Sequence, residues 1–176
     1  MKKLAVLISA TSTGTNLRAI REAIETKKLK AKISMVISDS HKKLADYQLD
    51  YICLAGWKNI IPDPLIKKFP NKILNIHPGL VPDKLDGEVI NPDGTKALWN
   101  RGKFTEKAIQ NFLDKKATYA GSTVHCLSTE FDFGVVLGRC FEKILPDDTV
   151  ESLYRRLKVK ENKIYVKTLM KLCNRK

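Results

Sequence analysis

No apolar run in this sequence approaches the ~20 residues that a membrane-crossing helix requires. Met1 to Ile8 begins like a secretion signal, but its apolar run stops at Ile8-Ser9. That is short for a signal core, and a helix-like segment follows where a cleavage site would be. Cysteine is scarce and scattered. Cys53, Cys126, Cys140 and Cys173 show no paired metal-ligand spacing, so no metal is expected, and reduced packing thiols in a cytoplasmic protein are. Aromatic residues amount to 7% and are not interleaved with arginine, which argues against a single-strand nucleic-acid binder. Neither a Walker loop nor a GxGxxG stretch occurs, and there is no internal repeat or low-complexity segment.

Positive charge, by contrast, is in surplus: 32 Lys and Arg against 19 Asp and Glu give a formal net charge of +13. The lysines are spread along the whole chain without a long basic block, so a lysine-rich solvated surface is the first reading. Attraction for a phosphorylated small substrate comes second and a nucleic-acid surface last. At 176 residues, 1–176 is expected to form a single domain, as a monomer or a homodimer.

The order of segments points to α/β architecture. Residues 3–9 form an apolar run, followed by the polar turn Ser9 to Asn16 and then by Leu17, Ile20 and Ile24 at helical spacing. A second strand at Ile33–Ile37 completes a βαβ unit, which favours an open, mostly parallel, Rossmann-like sheet flanked by helices. Strands are expected again at 50–55, 73–76, 122–127 and 135–144, with helices at 62–69, 105–115 and 149–173. Between them, 81–103 is punctuated by Pro82, Gly87, Pro92, Gly94 and Gly102 and has no period, so it is expected to be a long surface loop, functional or mobile.

Three places carry chemistry. The turn at Ser9–Asn16 precedes a helix, whose N-terminus can bind an anion; a phosphate cradle and a merely satisfied turn are equally open. Asn75 and His77 lie two apart on a strand, hence on one face, at its carboxyl end, where such sheets place ligands. Asp132 sits in the tight turn EFDFG (130–134), which a structural role alone would also explain. Together an amide, an imidazole and a carboxylate make an acyl-transfer set.

These residues resemble a known family, the folate-dependent formyltransferases. The resemblance rests on Asn75-Ile76-His77-Pro78 preceded by LAGW (54–57), on STVHCLSTEFDFG (122–134), on SATSTGTNLRAI (9–20) and on ENKIY (161–165). It implies a formyltransferase fold and transfer of a formyl group from 10-formyltetrahydrofolate, as co-substrate, to a primary amine. That amine is foremost the one of glycinamide ribonucleotide in purine biosynthesis, with an amino sugar nucleotide or a non-catalytic nucleotide/folate-binding module as alternatives. Asn75 and His77 would hold the oxyanion, and Asp132 would organise His77 and take the amine's proton. Gly14, Thr15 and Asn16 would bind the phosphate, and Glu161 the ribose hydroxyls. Trp57, Ile60 and Ile61 would line the folate pocket, and His125 would stand behind the site. The chain departs from the family pattern in the phosphate loop, which has a two-residue insertion and lacks the first glycine. It departs also at Phe133 and Val135 beside the aspartate, and in the length of two segments. Only twelve residues, 38–49, stand where a helix, a strand and another helix are usual, so the mononucleotide-binding half is truncated and Ile33–Ile37 becomes the sheet's edge. In those twelve, Leu44, Tyr47 and Leu49 are expected to pack down. The long loop 81–103 replaces a short segment.

Overall fold

The computed structural model describes residues 1–38 and 44–174. Six strands form one sheet: β1 (Lys2–Ile8), β2 (Ala31–Ser38), β3 (Tyr51–Leu54), β4 (Ile73–His77), β5 (Tyr119–Cys126) and β6 (Val136–Lys143), in the spatial order β2-β1-β3-β4-β5-β6. The β1–β2, β1–β3 and β3–β4 pairings are parallel, whereas β4–β5 and β5–β6 are antiparallel. The helices are α1 (Thr15–Glu25), α2 (Asp63–Lys68), α3 (Thr105–Asp114) and α4 (Val150–Cys173). None of the described helices is long and apolar enough to cross a membrane.

The two faces of β1 explain why its run is apolar without alternation. Leu4 and Val6 pack under α1 and α4 with Ile20, Tyr165 and Leu169, while Ala5 and Leu7 pack on the opposite face with Ile52, Leu65 and Phe69. A third cluster joins α3 and α4 through Ile109, Phe112, Leu153 and Leu157. The 24-residue helix α4 starts at a capping box in which Thr149 and Ser152 exchange hydrogen bonds.

β2 is the edge strand among the described residues, as the short stretch after it suggests. Its register slips opposite Leu4/Ala5, and the extra residue, Ser34, re-aims the strand. Ile33 joins the α1 face, whereas Met35 and Ile37 join the other. Of the stretch 38–49, residues 39–43 lie outside the described ones. A single 3-10 turn, Leu44–Asp46, follows. Leu44 and Leu49 are buried as expected, but Tyr47 is 50% exposed: no helix continues past Asp46 to turn its ring inward.

Beyond Cys53 and Leu74 the ladder between β3 and β4 ends, and Tyr165 of α4 spans the gap. Its hydroxyl lies 3.1 Å from both Leu54 O and Leu74 O, the only polar atom in a fully buried ring. Tyr165→Phe is expected to cost about 1–3 kcal/mol, because the one O–H donor that the two buried carbonyls share is lost and water cannot replace it. Urea denaturation should show the lower midpoint at unchanged slope.

Candidate active site

β4 and β5 run antiparallel with Asn75 opposite His125 and His77 opposite Thr123, so their side chains meet at the carboxyl end of β4. Asn75 Nδ2 lies 3.3 Å from His125 Nε2. His125 Nδ1 is 3.2 Å from the carbonyl of Cys126, which can only accept, so His125 carries its proton on Nδ1 and receives the amide of Asn75 on Nε2. Burial first, and His77 second, press the His125 pKa down to about 4. One of the two Asn75 amide protons is thereby spent on His125, which fixes the amide's orientation; the other is left for a ligand.

The low pKa of His125 makes the stability of the fold depend on pH. Unfolded, the ring titrates near 6.5; folded, it resists protonation until about pH 4. Its contribution to stability is therefore complete above about pH 6.5 and is lost as pH falls towards 4. His125→Gln is expected to flatten the stability–pH curve across that window by roughly 2–4 kcal/mol, read from urea melts at pH 4.5 and pH 7.5.

His77 is 2% exposed. Its Nε2 is 2.8 Å from Trp99 O and its Nδ1 is 3.6 Å from Asp132 Oδ1. Burial lowers its pKa, and the facing carboxylate of Asp132 opposes that fall. Asp132 adopts a left-handed backbone (φ 50°) in the turn after β5, which aims its carboxylate back at β4. Its second oxygen accepts from Gly102 N–H at 2.7 Å. The amide, imidazole and carboxylate singled out in the sequence thus share one end of the sheet.

The neighbouring polar turn ends at Gly14, whose φ of 68° starts α1. No side chain caps this helix, which leaves its first N–H groups for an anion. The hydroxyl of Thr15 is buried without a partner there. Asn16 turns inward instead. Its Oδ1 accepts from Lys158 Nζ at 3.0 Å and its Nδ2 donates to Asn162 at 3.0 Å. Lys158 also donates to Glu161 Oε2 (2.8 Å), and Ser122 donates to Glu161 Oε1 (2.6 Å). Both oxygens of Glu161, which is 3% exposed, are therefore engaged within the protein.

The segment after β3 is divided. Ile61 belongs to the core with Ile66 and Phe69, Ile60 is 75% exposed, and Trp57 packs against the same cluster with its indole N–H buried and unpartnered. Among the described residues no grouping of His, Cys, Asp and Glu could hold a metal ion.

The loop 81–103 is not simply a surface excursion. Val81, Asn91, Ala97 and Asn100 are buried, and a small hairpin pairs Ile90 with Lys96. Its far end returns to the site through Trp99 and Gly102, two residues sequence reasoning did not single out. Both approach mainly through backbone groups, which leave no compositional trace; a tryptophan in a polar, glycine-punctuated stretch was the one available signal.

Residues 38–169 match the family described as formyl transferase. The chain is similar to phosphoribosylglycinamide formyltransferase of Haemophilus influenzae, 29% identical over 94% of this chain and 84% of that protein. It is 32% identical to the chloroplastic enzyme of that name from Arabidopsis thaliana, over 74% of this chain. The chain spans 40% and 61% of the length of the Arabidopsis and Vigna unguiculata relatives. Among solved structures it resembles glycinamide ribonucleotide transformylase 1 of Symbiobacterium toebii, with a TM-score of 0.78 at 27% identity, covering 97% of this chain and 86% of that one. A formyltetrahydrofolate deformylase from Pseudomonas syringae shares the fold, with a TM-score of 0.77 at 16% identity over 99% of this chain and 62% of that one.

Proposed function

Because the chain belongs to the formyl transferase family, we propose that it moves a formyl group from 10-formyltetrahydrofolate to the primary amine of glycinamide ribonucleotide. What carries this reading is the convergence of Asn75, His77 and Asp132 at one end of β4, beside the uncapped start of α1. The amine attacks the formyl carbon, and the free amide N–H of Asn75 donates to the oxyanion that develops. His77, which the resemblance also sets there, has its Nε2 turned to Trp99 O instead. The His77–Asp132 pair accepts the amine's proton and returns it as the folate nitrogen leaves. Gly14, Thr15 and the first turn of α1 take the acceptor's phosphate, helped by the surplus of positive charge. Of the segment after β3, the exposed Ile60 and the half-buried Trp57 would meet the folate, while Ile61 is spent in the core. Four unpaired thiols, three of them buried, fit a reducing compartment such as the cytoplasm.

The experiment incubates the protein with 10-formyltetrahydrofolate and, in separate reactions, glycinamide ribonucleotide, an amino sugar nucleotide and a non-phosphorylated amine, following release of tetrahydrofolate. Release only with glycinamide ribonucleotide supports the reading. Faster release with either other amine replaces the acceptor, and no release with any of them overturns it.

A further inference from the structure

One stretch of four residues, 99–102, supplies contacts to both partners of the His77–Asp132 pair. The carbonyl of Trp99 takes His77 Nε2 at 2.8 Å, while its indole N–H donates to the Asp132 carbonyl at 3.1 Å. Gly102 N–H donates to the Asp132 carboxylate at 2.7 Å, and Arg101 Nε to the Phe131 carbonyl at 2.9 Å. Arg101 also lies over the Trp99 ring, 5.1 Å from its centroid, and Phe133 packs against that ring at 5.9 Å.

This stretch is firmly built. Leu80 N–H donates to Leu98 O at 2.9 Å, and the Trp99 carbonyl lies so close over Gly79 that any Cβ there would run into it. Asn100 is 5% exposed with φ 59°, a conformation asparagine tolerates. Its Nδ2 donates to Pro78 O and Ala108 O, both at 3.1 Å, and its Oδ1 accepts from Asn111 at 2.7 Å. The side chain is fully satisfied between the end of β4 and α3.

We propose that residues 99–102 are the positioning element of the site, and that they make Nδ1 the nitrogen through which His77 exchanges a proton with Asp132. A carbonyl can only accept, so neutral His77 keeps its proton on Nε2, facing Trp99. Nδ1 is left bare towards Asp132 Oδ1, 3.6 Å away. In the reaction proposed above, on which this inference rests, the amine nitrogen bonds to the formyl carbon and sheds one proton. The pair holds that proton between Oδ1 and Nδ1. As the bond from the formyl carbon to the folate nitrogen breaks, the proton passes to that nitrogen, and His77 and Asp132 recover their starting states. Trp99 touches no reacting atom in this scheme; it acts by fixing the two groups that do.

The test uses the full chain with Trp99→Phe, which keeps an aromatic ring near Arg101 and Phe133 but removes the N–H. The chain has three histidines, so ¹⁵N spectra are assigned with His77→Gln and His125→Gln. Wild-type His77 is expected as the Nε2–H tautomer. In Trp99→Phe the His77 titration midpoint is expected to move by about 0.5 pH unit or more, since one hydrogen bond holding its carboxylate partner is gone. kcat for formyl transfer is expected to fall about three- to tenfold with KM for both substrates within about twofold, and the acidic limb of the pH–rate profile to move with the midpoint. An Nδ1–H tautomer in the wild type overturns the proposal, as does an unmoved midpoint with an unmoved profile. If Trp99→Phe does not fold, the wild-type tautomer alone decides. Should the wild type transfer no formyl group, the functional reading falls, while tautomer and midpoint still test the positioning role.

Discussion

Asp132→Asn is expected to lower kcat by about 10²–10⁴-fold, the range by which positioned acid–base groups accelerate such steps. Asparagine has nearly the shape of aspartate and can still accept from Gly102 N–H, so the turn after β5 should survive. What disappears is the charge facing His77. Burial already lowers the pKa of that ring, and Asp132 is the first influence that opposes it. Without the carboxylate, a proton arriving at Nδ1 finds no counter-charge, and the amine has nowhere nearby to leave its own. His77→Ala should lose a similar factor, and the double variant little more than either alone, because the two residues act as one unit. Steady-state rates with both substrates saturating measure this. An Asp132→Asn protein that turns over at near the wild-type rate, folded and at neutral pH, would remove the carboxylate from the chemistry.

Glu161→Ala should show its largest effect on stability. The sequence resemblance places this residue against the acceptor's ribose, yet both its oxygens are bound to Ser122 and Lys158 and it is 3% exposed. Removing it leaves the Lys158 ammonium, 17% exposed on its side chain, with Asn16 as a neutral partner. Breaking a buried pair by deleting one member typically costs about 3–5 kcal/mol. For a chain of this size that corresponds to a fall in Tm of roughly 6–20 °C. Replacing Lys158 by Met in the same protein removes the stranded charge and should recover a good part of the loss. A Glu161→Ala protein within about 1 kcal/mol of wild type would mean that the carboxylate contributes little to the fold and is free for a ligand.

The sequence made the site's chemical members visible because each sits in a short local pattern. Asn75 and His77 share one face of a five-residue strand that Pro78 ends, and Asp132 lies in a turn bounded by Gly134. Burial on both faces likewise gave β1 its unbroken apolar run. What stayed hidden depends on groups far apart in the chain. Asn16 and Lys158 meet across 142 positions, and nothing in a basic helix face shows which lysine turns inward. Trp99 and Gly102 act largely through main-chain atoms, to which composition and periodicity are blind. Ser34 reverses the faces of β2 by a register slip, and alternation alone cannot reveal a slip of one residue. Tyr47 was expected inside because a helical period was extended over a stretch that makes only one 3-10 turn.

The rim of β2 bears on how copies of this chain behave towards each other. Over residues 32–37 it is bonded to β1 on one side and to no other strand among the described residues on the other, and Val36 is 40% exposed. Such a rim is a template on which a second copy could stack its own strand. The opposing influence is electrostatic: molecules with a formal net charge of +13 repel one another before their rims meet. That repulsion reaches only about 8 Å at 0.15 M salt and about 3 Å at 1 M. Besides drawing in a phosphorylated substrate, the scattered lysines thereby act as a colloidal barrier whose height is set by ionic strength.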